Sequence, residues 1–72
     1  VNSPSYYMLG KYEVADVIEE WDLGWHRGDA VAYIARAGRK NEDTEIQDLQ
    51  KAAWHLNREI AMLQDRAKPL IP

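Results

Sequence analysis

Three groups of residues in the 72-residue chain carry side chains suited to chemistry. The first is Arg36, Arg39 and Lys40, with Tyr33 one helical turn earlier. Guanidinium forks match phosphate oxygens in bidentate geometry, and a tyrosine ring can stack on a base. The same cations at a helix C-terminus would complement its dipole, a contribution of about 0.3–1 kcal/mol each. Arg36 stands inside an otherwise apolar run, so it needs a partner or a ligand. Asp29, two turns away on the same strip, is a poor direct partner; Asp16, Glu20 or Asp48 would serve. The second group is Asp48, Lys51, His55 and Arg58, spaced i, i+3, i+7, i+10. It forms a mixed-charge strip in which Lys51 lies near an apolar seam and Arg58 reads as part of a solvated face. The third is two carboxylate pairs, Glu13-x-x-Asp16 and Glu45-x-x-Asp48. Each puts two oxygens on one helix face, and two facing pairs can hold Mg²⁺. Twelve acids in so short a chain also produce such pairs as ordinary dipole and salt-bridge partners.

Other chemistries lack their residues. There is neither a G-x-x-x-x-G-K-[ST] loop nor a G-x-G-x-x-G fingerprint. The chain has no cysteine, and its two serines, Ser3 and Ser5, sit in the N-terminal arm, away from either histidine. Nucleophilic catalysis therefore has no candidate. His26 and His55 belong to no HxH or HxxxH pair, so a histidine metal site is not expected. His55 reads as an exposed or interface residue that also joins the candidate ligand set.

Charge is distributed in blocks: −4 over residues 1–26, +3 over 27–40, −4 over 41–50 and +2 over 51–72, for a net charge of −3. This balance disfavours a protein that coats DNA. It leaves one compact basic segment to meet a phosphorylated ligand. No apolar run reaches the roughly 18 residues of a membrane span, and no secretory leader is visible, so a cytoplasmic location is expected.

The elements that must position these residues follow from periodicity. Residues 1–10 read as an arm, with Tyr6, Tyr7, Met8 and Leu9 expected to lie over the core or a neighbouring subunit. A single helical domain spans 11–68, and 69–72 form a C-terminal tail. Val14, Val17, Ile18 and Trp21 make one apolar stripe, predicting a first helix from Tyr12 or Glu13 to Asp22, ended by Gly24. A second, central helix is expected from Gly28 to Ala37, with Gly38 as a left-handed C-cap. Its one polar strip holds Asp29, Tyr33 and Arg36, continued by Lys40. Thr44 is the expected N-cap of a third helix, with Gln47 completing a capping box and Lys68-Pro69 stopping it near Arg66. Ile46, Leu49, Ala53, Leu56, Ile60 and Leu63 repeat at 3-4-3-4-3 spacing, an a/d seam flanked by Trp54. Two helices of about ten residues cannot cover all of a third helix roughly 30 Å long, so the seam is expected to stay open to a partner unless the hairpin of the first two helices covers it alone. The expected fold is all-α, with two short helices and one long one. Helix 42–66 is expected to build a homo-oligomer as an intersubunit bundle. A chain this small also gains from partner subunits, because its own core supplies only about 3–5 kcal/mol.

The run from Lys11 to Ile60, KYEVADVIEEWDLGWHRGDAVAYIARAGRKNEDTEIQDLQKAAWHLNREI, resembles a family of small phage-encoded proteins of largely unknown function. The family pattern has a Tyr before an E-V-x-D-V-I helix, then G-N-A-x-K-Y-x-x-R-x-G-x-K, then D-L-x-K-A-x-W-x-L-x-R-E-I. Glu13, Asp16, Gly28, Tyr33, Arg36, Gly38, Lys40, Asp48, Lys51 and Trp54 match it. Asp29 stands where Asn is usual, and Ala32 where Lys is usual. The family includes a domain of a phage nucleotide kinase without a Walker motif, so the resemblance implies a helical, oligomeric, nucleotide-binding scaffold. A lysine lost from the ligand-facing strip and a gained negative charge weaken any implied phosphoryl transfer, which depends on cationic charge stabilisation. More loosely, Glu13/Asp16 and Glu45/Asp48 are similar to the ExxE–spacer–ExxD arrangement of all-α nucleotide pyrophosphatases.

Together these readings favour a phage-type, non-catalytic nucleotide binder that sequesters its ligand, for example a cyclic nucleotide immune signal, in the host cytoplasm. Arg36, Arg39, Lys40 and Lys51 would hold phosphate, with Tyr33 or Trp54 on the base and His55 beside them. The pocket is expected to need several subunits, and no cofactor is implied. One alternative is a nucleotide kinase or Mg²⁺-dependent pyrophosphatase, with Glu13, Asp16, Glu45 and Asp48 as metal ligands. Another is an adaptor that binds a host protein through the arm and the tryptophans.

Overall fold

The computed structural model describes residues 8–68. The side chains of Tyr6, Tyr7, Met8 and Leu9, expected over the core, and the tail 69–72 lie outside that description. The chain folds as three helices preceded by a minimal hairpin. Strands β1 (Met8–Leu9) and β2 (Tyr12–Glu13) pair antiparallel, Met8 with Glu13 and Leu9 with Tyr12. Gly10, at φ 64°, takes the left-handed position of the two-residue turn between them. The end of the presumed arm is thus ordered strand, and it takes Tyr12 and Glu13 out of the first helix.

Helix α1 runs over Val14–Glu20. Asp22, not Gly24, ends it. Asp22 adopts φ 51°, its N–H donates to Glu19 O at 3.1 Å, and the Leu23 N–H reaches back to Ile18 O at 3.2 Å. That pair of bonds is a Schellman closure, which aspartate tolerates because its short polar side chain admits the left-handed region. Helix α2 then covers Gly24–Arg36, starting four residues earlier than periodicity indicated. Gly28 therefore sits inside a helix. A Cβ there would lie 2.9 Å from Ile18 Cγ2, so the glycine permits the close crossing of α1 and α2.

Gly38 is left-handed as expected, at φ 76°, just past the end of α2. The approach to α3 differs from the expected capping box. Thr44 makes no side-chain cap; its Oγ1 donates to Asn41 O at 3.1 Å. Asn41 Oδ1 instead accepts from Asp43 N at 2.9 Å and opens a 3-10 turn, Glu42–Thr44, that leads into α3 (Glu45–Ala67). Lys68 is extended, as the following proline requires. None of the described helices is long and apolar enough to cross a membrane.

Helices α2 and α3 pack antiparallel: Arg27 meets Glu59, His26 meets His55 and Arg36 meets Asp48. The inner face of α3 is Asp48, Ala52 and His55, with Glu59 half-buried. Ala30 and Ala52 are small enough to let the two backbones approach, and both are almost fully buried. The buried apolar residues described are Val14, Ala30, Ala35 and Ala52. The a/d seam faces outward; Ile46 is 73% exposed, Ile60 50% and Leu63 42%.

Candidate functional site

Because α2 begins at Gly24, Trp25 and His26 join the strip that already carried Asp29, Tyr33 and Arg36. Spaced i, i+3, i+7 and i+10, His26, Asp29, Tyr33 and Arg36 share one side of the helix. The matching side of α3 carries Asp48, Lys51 and His55. The two strips identified separately in the sequence meet each other within one chain.

At the loop end of this contact, Arg36 Nε lies 3.3 Å from Asp48 Oδ1. Asp48 is 1% exposed, and neither of its oxygens accepts a hydrogen bond of good geometry among the described residues. Charge rather than a directed bond holds this pair, in surroundings of low dielectric where attraction is strong and desolvation costly. Of the three acids considered as partners for Arg36, the structure selects Asp48.

One turn further along, the Tyr33 ring has the Arg36 guanidinium 5.2 Å from its centroid and the Lys51 ammonium 5.5 Å away. Both distances fall within cation–π range. His55 stacks on Tyr33, centroids 5.8 Å apart and planes inclined by 21°. His55, expected to be an exposed or interface residue, is buried between α2 and α3, and it is the hub of the site. Its Nδ1 is 3.0 Å from Nδ1 of buried His26, and its Nε2 is 3.4 Å from Asp29 Oδ2. A carboxylate beside Nε2 favours the His55 tautomer protonated there, in which Nδ1 accepts and His26 Nδ1–H donates. Trp25 Nε1–H donates to the same Asp29 oxygen at 2.8 Å. Asp29 is thus engaged inside the site.

Two tryptophans flank the histidines. Trp25 stacks on His26 at 4.3 Å, and Trp54 meets His55 edge-on at 4.9 Å. Both indoles remain open to solvent, Trp25 67% and Trp54 53% exposed. The Arg58 guanidinium lies 5.7 Å from the Trp54 ring. One flank of the α2–α3 pair therefore carries Arg36 and Lys51 around Tyr33 toward the loop end, and exposed indoles with Arg58 over Trp54 at the far end.

At 100° per residue, Lys51, Trp54 and Arg58 lie roughly 60–120° to one side of Asp48, and the seam lies roughly 60–160° to the other. Lys51 is therefore remote from the seam that it was expected to border, whereas Trp54, about 80–100° round the helix from Ile46 and Ala53, flanks it. A single chain gathers Tyr33, Arg36, Lys51, Trp54 and His55, whereas the pocket was expected to need several subunits.

The remaining candidates are not brought into this cluster. Arg39 and Lys40 are exposed in the loop after α2, and their backbone N–H groups both donate to Arg36 O. Glu13 precedes α1, Asp16 is exposed on α1, and Glu45 lies over Gly38, with its Oε2 2.8 Å from where a Cβ would be. Asp48 faces Arg36 instead of these three. Among the described residues, no group of three or more His, Asp or Glu side chains is arranged to hold a metal ion. The facing carboxylate pairs proposed for Mg²⁺ do not form, because α3 turns Asp48 inward toward α2.

A family model matches residues 1–57 of the chain. The chain belongs to DUF3310, a family of proteins of unknown function. No curated protein and no solved structure matches it. The DUF3310 match contains the whole α2 strip and α3 through His55, so of the residues in this site it leaves out only Arg58. Sequence reading missed Trp25 and His26. Their signal was the 3-4-3 spacing of His26, Asp29, Tyr33 and Arg36, hidden by taking Gly28 as the helix start.

Proposed function

We propose that this DUF3310 protein is a non-catalytic binder of a nucleotide-type phosphorylated ligand, which it sequesters. The observation that carries the reading is the pair of cations, Arg36 and Lys51, set over the Tyr33 ring on the same flank as the exposed Trp54. Such a surface offers charge for phosphate and an open π-face for a base, and stacking of this kind contributes about 1–3 kcal/mol per base. The arrangement along the flank gives the ligand a direction. Phosphates lie toward Arg36, Lys51 and the loop cations Arg39 and Lys40. The base lies against Trp54, beside His55.

Among the described residues, no group of acidic side chains or histidines is arranged to hold a metal ion. The reading is binding without turnover. A phage origin and a cyclic nucleotide of host immunity as the captured species are the specific form that the family resemblance favours. Isothermal titration against mono-, di- and cyclic nucleotides tests the reading. At least one is expected to bind, and Trp54→Ala to weaken it about tenfold or more by loss of stacking. Lys51→Ala should weaken it further as salt is lowered. Absence of heat with every nucleotide, in protein shown to be folded, overturns it.

A further inference from the structure

The outward seam of α3 is the largest feature that the site leaves unused. Its six positions span 18 residues, about 26 Å of helix. Among the described residues nothing covers it, since α2 occupies a different face. Ile34 of α2 is exposed as well. Behind Ile34 lies an apolar groove of about 240 Å³ lined by Val14, Val17, Trp21, Val31, Ile34 and Ala35. The outward side of α3 is thus apolar, whereas the flank of the α2–α3 pair that carries Lys51 and Trp54 is cationic and aromatic. Three of the four buried apolar residues described are alanines, a small core for a domain already near the lower size limit.

We propose that this side is covered by a second copy of the chain, with the two α3 helices antiparallel about a two-fold axis. The 3-4 spacing, with Ile46, Ala53 and Ile60 at a and three leucines at d, is a coiled-coil seam, which asks for a partner helix of the same repeat. In this chain α3 is the helix that has it. Antiparallel pairing sets Ile46 opposite the partner's Leu63, Leu49 opposite the partner's Ile60, and Ala53 opposite the partner's Leu56. The flanking charges select this direction. At the g positions it places Glu45 against the partner's Arg66, and Arg66 against the partner's Glu45, one ion pair at each end. At the e positions it places Gln50 against the partner's Asn57, without charge. Parallel pairing would face Glu45 with the partner's Gln50 and Glu59 with the partner's Gln64, forming no ion pair. It would also align the two helix dipoles unfavourably. In the antiparallel dimer the two cationic flanks point away from the shared seam, so each copy keeps its own complete site. The proposal does not depend on the ligand reading.

Sedimentation of the full chain at micromolar concentration should show a particle of at least twice 8.3 kDa. The native sequence has no cysteine, so orientation is readable by cross-linking. Ile46→Cys and Leu63→Cys variants, mixed and oxidised in a redox buffer, should link mainly to each other. Glu45→Arg should weaken association several-fold, and adding Arg66→Glu should recover it. A stable 8.3 kDa particle overturns the proposal, as does cross-linking dominated by 46–46 and 63–63 pairs. Failure of the double charge reversal to recover association overturns the register.

Discussion

Asp48 and Leu49 are adjacent on α3 and have opposite surroundings. Asp48 is the most deeply buried of the large side chains, while Leu49 is nearly half exposed. The same contrast runs the length of the helix: Asp48, Ala52 and His55 dock on α2, and the Ile/Leu seam faces away. Hydrophobicity did not choose the inner face. The facing side of α2 carries His26, Asp29, Tyr33 and Arg36, and covering these with leucine would bury polar groups without partners. Matched polar groups, together with the small buried side chains of Ala30 and Ala52, decide the intrachain contact. The seam is left available to another copy. What holds one chain in its particular shape and what is proposed to hold two chains together occupy different sides of one helix.

This contrast can be broken most severely at Asp48. Asp48→Ala leaves Arg36 partly buried without its carboxylate, and breaking such a pair costs about 3–5 kcal/mol. That is comparable with the roughly 3–5 kcal/mol available to a core of this size. Circular dichroism should show largely unfolded chain, and a variant as stable as the parent would remove the ion pair from the list of what holds α2 to α3.

His26→Ala should have the next largest effect, about 1–3 kcal/mol by denaturant titration, because His55 Nδ1 loses its donor in a buried position. The geometry also makes a spectroscopic prediction. Nitrogen NMR of the neutral rings should find the proton on Nδ1 of His26 and on Nε2 of His55. Two Nε2-protonated rings would mean that the 3.0 Å contact is not a hydrogen bond.

The smallest effect is expected at the rim. Arg27 Nε donates to Glu59 Oε2 at 2.8 Å, but the Arg27 side chain is half exposed. Arg27→Ala should cost no more than about 1 kcal/mol, and less in high salt. A loss as large as that for Asp48→Ala would erase the distinction between the buried and rim pairs.

Some of this was legible in the sequence and some was not. The three helices, the left-handed Gly38 and the pre-proline stop at Lys68 follow from local rules that hold wherever the segment sits. Helix α1 was misjudged at both ends because its termini are set elsewhere: β1 pairs with Tyr12 and Glu13, and Asp22 rather than a glycine takes the left-handed position. The candidate cations and aromatics were visible as residue types, and Tyr33, Arg36, Lys51, Trp54 and His55 do converge. The early start of α2 was hidden because a glycine inside a helix looks like a boundary until the crossing helix that requires it is known.

By itself the sequence determined the helical periods, the composition of each strip and the outward seam's 3-4 repeat, since these depend only on the order of side chains along one helix. Which strip turned inward was decided by the tertiary structure. That choice depends on whether buried polar groups find partners on a different element, and α2 and α3 supply those partners to each other only once they lie antiparallel at close range.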